Sequence, residues 1–256
     1  MQLVRLCRNI ALAGCAMEIV VWHWRISPYA ICFSLSFVAG FSYVARELLK
    51  RGIEKRYIAY SMMLNIALIL YGGWAFTLVV QSLQNGKVEK VGFSSLGGAV
   101  GMLLGVWIFT KIGARQKDAF VQAYTISLGL MYGVSKLGCF FAGCCRGKSY
   151  DGLGCVRYLD GGNKSEWMIP VQLLETITFV VLFLFLNRMA KKSMQNISAW
   201  CVVVYAFFKF LLDFLRDNPP WQLFSINQWV CLLLFMIAGG KISYDKRKND
   251  SKNGRV

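Results

Sequence analysis

Histidine is nearly absent from this 256-residue sequence, and acidic residues are few: one His and 13 Asp+Glu against 29 Lys+Arg. The lone His23 stands between Trp22 and Trp24, with Arg25 next. That setting suits an aromatic belt at a membrane interface better than a catalytic base. No P-loop and no G-x-S-x-G elbow occurs, which excludes two common enzyme motifs. No C-x-x-C pair occurs either, which removes the usual signature of a thiol oxidoreductase. No small-residue cleavage site convincingly precedes Pro28, so a cleaved signal is not expected.

What is present is apolar. Hydrophobic residues make up 56% of the chain, above the ~45–50% of a soluble domain. Mean hydropathy is +0.47. Several runs approach the ~20 apolar residues that span a bilayer. The expected fold class is therefore an all-α polytopic membrane protein with about seven transmembrane helices. The spans are placed at Pro28–Leu49, Tyr57–Val80, Phe93–Thr110, Ala119–Lys136, Pro170–Leu186, Ala199–Leu215 and Phe224–Gly239.

The formal charge of +16 does not point to nucleic acid, because the cations cluster between the apolar runs. Lys50, Arg51, Lys55 and Arg56 follow span one. Lys111, Arg115 and Lys117 follow span three. Arg188, Lys191 and Lys192 follow span five, and a basic tail follows span seven. Loops after spans two and six carry little: Lys87 and Lys90 in one, Arg216 in the other. The positive-inside rule then puts the C-terminus in the cytoplasm and the N-terminal side of span one outside. The long connection from Lys136 to Ile169 also falls outside, and its length marks it as a candidate functional segment. Three regions follow: residues 1–27 as an interfacial helix or short extra span, 28–240 as the membrane domain, and 241–256 as a basic cytoplasmic tail.

Two spans carry features that suit chemistry. Gly97, Gly101 and Gly105 form a GxxxGxxxG ridge. It can pack helices closely, or present Gly97-Gly98 to a lipid head group. Lys209, Asp213 and Arg216 share one helix face, because their offsets are i, i+4 and i+7. Charge inside a span costs ~2.5–3.5 kcal/mol per group, so such residues usually face the bundle interior. A cationic surface able to hold phosphate is the favoured reading, with Gln172 and Glu175 of span five joining it. A self-satisfied Lys–Asp pair is the alternative.

Nine cysteines occur. Cys7, Cys15, Cys32, Cys201 and Cys231 lie in apolar runs and read as small hydrophobes. Cys139, Cys144, Cys145 and Cys155 lie in the outer connection. Zinc fits this C-x4-C-C-x9-C spacing weakly, since no paired C-x-x-C or nearby histidine supports it. A disulfide, inert thiols lining a site, and a catalytic thiol all stay open. Lys136, Arg146 and Lys148 would favour a thiolate there.

Five blocks in order resemble the prolipoprotein diacylglyceryl transferase family. Phe93-Ser-Ser-Leu-Gly-Gly-Ala-Val-Gly101 resembles its H-G-G-L block. Tyr132-Gly-Val-Ser-Lys-Leu-Gly-Cys-Phe140 resembles G-R-x-G-N-F, in the variant that continues G-C-F-x-A-G-C-C-x-G. Ile169-Pro-Val-Gln-Leu-Leu-Glu175 resembles H-P-x-Q-L-Y-E. Lys209 to Arg216 resembles R-x-x-x-E-x-x-R, and Ser225-Ile-Asn-Gln228 resembles the S-x-x-Q that follows. Departures accompany the likeness. The family histidines fall at Leu96 and Ile169, arginines at Lys136 and Lys209, the glutamate at Asp213, and a tyrosine near Phe33.

The resemblance implies transfer of a diacylglyceryl group from phosphatidylglycerol to a prolipoprotein cysteine in the bacterial cytoplasmic membrane. It implies no cofactor or metal, no nucleic-acid partner, and a monomer. Lys136, Asp213 and Glu175 are then the candidate catalytic residues. Gly97, Gly98, Gly138, Gly143, Gln172, Lys209, Arg216 and Gln228 are candidate substrate contacts, and Cys139, Cys144 and Cys145 a candidate thiol site. A relative using another lipid donor or acceptor, and a non-catalytic lipid-binding scaffold, are the alternatives that Leu96 and Ile169 keep open.

Overall fold

The computed structural model describes residues 19–21, 24–85, 92–113, 116–160, 163–192, 194–217 and 223–253. His23, Cys7, Cys15, Lys87, Lys90, Arg115 and the first 18 residues lie outside the described residues. β1 (Ile19–Val21) pairs antiparallel with β2 (Trp24–Ile26). This pair lies within residues 1–27, expected as a short span or interfacial helix, most of which are outside the described residues.

Seven helices follow among the described residues. They are α1 (Pro28–Lys50), α2 (Lys55–Asn85), α3 (Ser95–Ile112), α4 (Lys117–Phe141), α5 (Val171–Lys191), α6 (Ile197–Asp213) and α7 (Ile226–Asn253). Local signals set several of their ends. Ser27 caps α1, its Oγ accepting from the Ala30 N–H at 3.2 Å, and Pro28 opens the helix. Ser94 does the same for α3, accepting from the Gly97 N–H at 3.3 Å.

Five helices are long and apolar enough to cross a membrane: α1, α2, α3, α5 and α7. Their outward faces are apolar, with Val38, Met63, Val181 and Met236 exposed. The chain is a polytopic membrane protein. α4 and α6 differ for physical reasons. α4 packs against α1, α3, α5 and α6 at the centre and is buried over most of its length. A helix sheathed by protein tolerates hydroxyls. Ser127, Thr125 and Ser135 donate to the Tyr124, Val121 and Tyr132 carbonyls at 2.7–2.9 Å. α6 has 17 residues and carries Lys209 and Asp213, both buried.

Two expected boundaries move. α4 runs on to Phe141, so Lys136 and Cys139 sit on its last turns and not in the connection. Gly138 does not break it, because the bare Cα lets α1 come close. A Cβ there would lie 3.0 Å from Cys32 Cβ. α7 continues past Gly240 to Asn253, so most of the basic tail is helical.

The glycine ridge serves packing between α2 and α3. A Cβ on Gly97 would lie 2.3 Å from Phe76 Cβ, and one on Gly101 would lie 2.1 Å from the Leu68 carbonyl oxygen. The two backbones touch along this line, as small residues in lipid allow.

Candidate active site

α4, α5 and α6 bring a buried ion network together. Glu175 on α5 lies at its centre. Its Oε1 is 2.9 Å from Lys209 Nζ, and its Oε2 is 3.4 Å from Lys136 Nζ. Tyr132, one turn before Lys136 on α4, donates to Glu175 Oε1 at 3.3 Å. Lys209 Nζ also reaches Asp213 Oδ1 at 2.9 Å, and Arg216 Nη1 lies 3.6 Å from the same oxygen. Ser225 Oγ donates to Asp213 Oδ2. All five ionisable side chains are less than a tenth exposed. Three cations face two carboxylates, so the network carries one surplus positive charge. Buried Arg216 Nε has no hydrogen-bond partner in the network.

The connection after α4 forms the site's rim. Gly143 (φ 63) turns the chain out of the helix, and Cys145 adopts φ 58, a left-handed conformation costly for a side chain with a Cβ. Gly147 then pairs with Arg216 in a β-bridge. The Lys148 N–H donates to the Leu215 carbonyl at 2.9 Å and the Asp217 N–H to the Arg146 carbonyl at 3.3 Å. This ladder seats the cysteine loop beside Arg216. β3 (Leu159–Asp160) and β4 (Asn163–Lys164) form a small hairpin further on.

Gln172 anchors the loop from below. Its Nε2 donates to the Cys144 carbonyl at 2.6 Å, and its Oε1 accepts from the Tyr158 hydroxyl at 2.9 Å. Burial pushes the Tyr158 phenol up to about 12. The Cys145 thiol is held well below the ordinary thiol range, first by hydrogen bonds from the Cys139 and Cys144 thiols and then by Lys136 and Arg216. The Cys144 thiol is pushed up, first by hydrogen bonds with the Cys139 and Cys145 thiols and then by burial.

A cavity of about 740 Å³ opens over these groups. Lys136, Lys209 and Arg216 line it, together with Cys139, Cys144 and Cys145. Phe76, Val80 and Leu96 supply an apolar wall. A polar end beside an apolar wall suits an amphiphile with an anionic head.

The family model for prolipoprotein diacylglyceryl transferase matches residues 16–244. The chain belongs to that family. It is 26% identical over 237 residues to the phosphatidylglycerol–prolipoprotein diacylglyceryl transferase of Dehalococcoides mccartyi (strain ATCC BAA-2266 / KCTC 15142 / 195), covering 86% of this chain and 89% of that one. The enzyme of the same name from Clostridium tetani is 24% identical over 227 residues, or 84% and 91% of the two chains. Phosphatidylglycerol–prolipoprotein diacylglyceryl transferase 2 of Clostridium perfringens is 22% identical over 234 residues, or 84% and 91%.

Within this diacylglyceryl transferase fold, the expected site residues divide into three groups. Lys136, Glu175, Lys209, Asp213 and Arg216 converge as one network, and Cys139, Cys144 and Cys145 share its cavity. Gln172 and Gln228 make hydrogen bonds within the protein. Gln172 holds the loop, and Gln228 closes a capping box at the start of α7. Its Oε1 accepts from the Ser225 N–H at 3.0 Å while its own N–H donates to Ser225 Oγ at 3.2 Å. Gly97, Gly138 and Gly143 shape backbone, and Gly98 packs on Phe93 and Ile69. Sequence reasoning missed Tyr29, Tyr132 and Asn227, which line the cavity, and Tyr158, which donates to Gln172. Tyr132 was findable, since it precedes Lys136 by four residues and shares its face. Tyr158 gave no signal.

Proposed function

We propose that this chain transfers a diacylglyceryl group from phosphatidylglycerol to the cysteine thiol of a prolipoprotein. The observation carrying this reading is Arg216, whose buried Nε lacks a partner while Lys136 and Lys209 line the same cavity. A buried donor without a partner is costly, and a phosphate oxygen would satisfy it. The surplus charge has the right sign for the phosphodiester.

The reaction is a displacement at carbon. The acceptor thiolate forms a bond to the terminal glycerol carbon of the diacylglycerol, and the C–O bond to phosphate breaks. The electron pair leaves on glycerol phosphate, and the acceptor's proton goes to solvent. Lys136 and Arg216 act on the charge that grows on the leaving oxygen. Lysine supplies a point charge and not a bidentate fork, so the donor is held less rigidly than by arginine. Glu175 is tied to two lysines and a tyrosine, and Asp213 to Lys209 and Ser225. Both carboxylates therefore position cations and do not serve as bases.

In this reading all seven helices cross the cytoplasmic membrane of a bacterium. Residues 28–240 form one membrane domain with the cysteine loop outside, and residues 241–256 lie in the cytoplasm. Residues 1–27 are an interfacial segment or a short extra span. The protein acts as a monomer on lipid and prolipoprotein, and nucleic acid is no partner.

The test uses purified protein with phosphatidylglycerol labelled in its acyl chains and a lipobox peptide. Labelled peptide and released glycerol phosphate are expected. No labelled peptide, where an authentic family enzyme gives it, overturns the proposal.

A further inference from the structure

We propose that Cys139, Cys144 and Cys145 form a trithiolate site for a thiophilic divalent ion, zinc as the probe, with a fourth position open to the acceptor thiol. The three Sγ atoms lie within 4.8 Å of one another. A Zn–S bond of ~2.3 Å sets the sulfurs of one ion about 4 Å apart, so small side-chain rotations suffice. Among the described residues, no fourth Cys, His, Asp or Glu joins the group. Three protein ligands and one open position is the arrangement of catalytic zinc, whereas structural zinc is closed by four.

The spacing C-x4-C-C hides this site from sequence. The fold makes it, because α4 carries Cys139 to its last turn and the chain then doubles back. The Cys144 N–H donates to the Cys139 carbonyl at 3.2 Å, and Gly143 and Cys145 take positive φ to achieve the reversal. A non-glycine residue kept at φ 58 indicates that its side chain is needed there. Lys136 and Arg216 line the same cavity. Gln172 fixes the Cys144 carbonyl, which is the kind of outer support that orients metal ligands.

The ion's task rests on the transfer reaction proposed above; its binding does not. Among the described residues the site holds no imidazole, and both carboxylates are committed to cations. The acceptor thiol would bind as the fourth ligand and release its proton to solvent, since a coordinating thiol is deprotonated outright. Its sulfur lone pair then makes the S–C bond while the C–O pair leaves on glycerol phosphate. The thioether product is uncharged and a weaker ligand, so it departs.

The experiment titrates Co²⁺ into the reduced, full-length protein in detergent, then competes it with Zn²⁺. One cobalt per chain is expected, with an intense thiolate-to-cobalt charge-transfer band that zinc abolishes. A cysteine lipobox peptide should intensify the band, and its serine analogue should not. Cys139→Ser and Cys145→Ser should lose the band, while Cys155→Ser keeps it. If a variant fails to fold, the wild-type chain still decides: zinc should shield Cys139, Cys144 and Cys145 from alkylation. No stoichiometric metal, or unshielded thiols, overturns the site. Full transfer activity in chelated, metal-free protein overturns its catalytic role. Metal binding without any transfer supports the site and overturns the transfer reading instead.

Discussion

Lys209 on α6 and Glu175 on α5 meet at 2.9 Å with neither side chain more than 4% exposed. A second lysine, Lys136 on α4, reaches the other carboxylate oxygen at 3.4 Å. One carboxylate thus ties three helices. Such a pair is retained at a cost in desolvation, and removing one partner leaves the others buried and unpaired.

Glu175→Gln is therefore expected to destabilise the bundle by ~3–5 kcal/mol, the usual penalty for breaking a buried pair. Thermal unfolding in detergent, compared with Glu175→Asp, reads this out. A Gln variant as stable as wild type would show that the lysines are satisfied elsewhere.

Lys136→Ala should lower kcat/KM for diacylglyceryl transfer by ~10²–10³, the loss typical when one group stabilising transition-state charge is removed. Lys136→Arg keeps the charge and should be much milder. If Ala and Arg variants fall equally, shape and not charge governs this position.

The loop clamp gives a pH-dependent prediction. Tyr158→Phe leaves Gln172 Oε1 buried without its 2.9 Å donor, at a cost of ~1–3 kcal/mol. Alkylation of Cys144 in metal-free protein should then speed up. In the wild-type chain the phenol titrates near 12, above the ~10 of an unfolded tyrosine. A raised folded value means the clamp is fully present below pH ~10 and is lost as pH climbs toward 12. Wild-type alkylation should therefore accelerate over that window, beyond the rise from thiol ionisation itself, and Tyr158→Phe should lack the extra acceleration.

The sequence was most legible where one helix face carries the pattern. Lys209, Asp213 and Arg216 could be placed together from spacing alone, because a helix repeats every 3.6 residues. Glu175 joins that face from its place at the outer end of span five, and Lys136 stands out beside the cysteines and by its likeness to a family arginine. Their meeting, however, depends on how α4, α5 and α6 pack. Cys139, Cys144 and Cys145 were legible as a candidate thiol site, but their convergence was not. It needs a helix end, two positive-φ residues and a β-bridge to Arg216, none of which hydropathy reports. The glycines are legible in two ways. Gly97 and Gly98 looked available to a head group because a ridge and a lipid contact share the same letters. Gln228 is ambiguous in the same way, since a capping box and a binding glutamine look alike in one sequence.

The glycine ridge separates packing from substrate contact experimentally. A Cβ on Gly101 would lie 2.1 Å from the Leu68 carbonyl oxygen, and backbone cannot swing aside as a side chain can. Gly101→Ala must therefore push α3 from α2, at the ~1–3 kcal/mol typical of overpacking. Gly239 on α7 meets nothing within 4 Å, so Gly239→Ala removes only a flexible residue and should be neutral or slightly stabilising. Thermal stability of the two variants should differ in that direction. The apparent KM for phosphatidylglycerol should stay unchanged in the fraction of Gly101→Ala that remains folded, because the residue faces α2. A raised KM at unchanged stability would instead assign the ridge to the lipid.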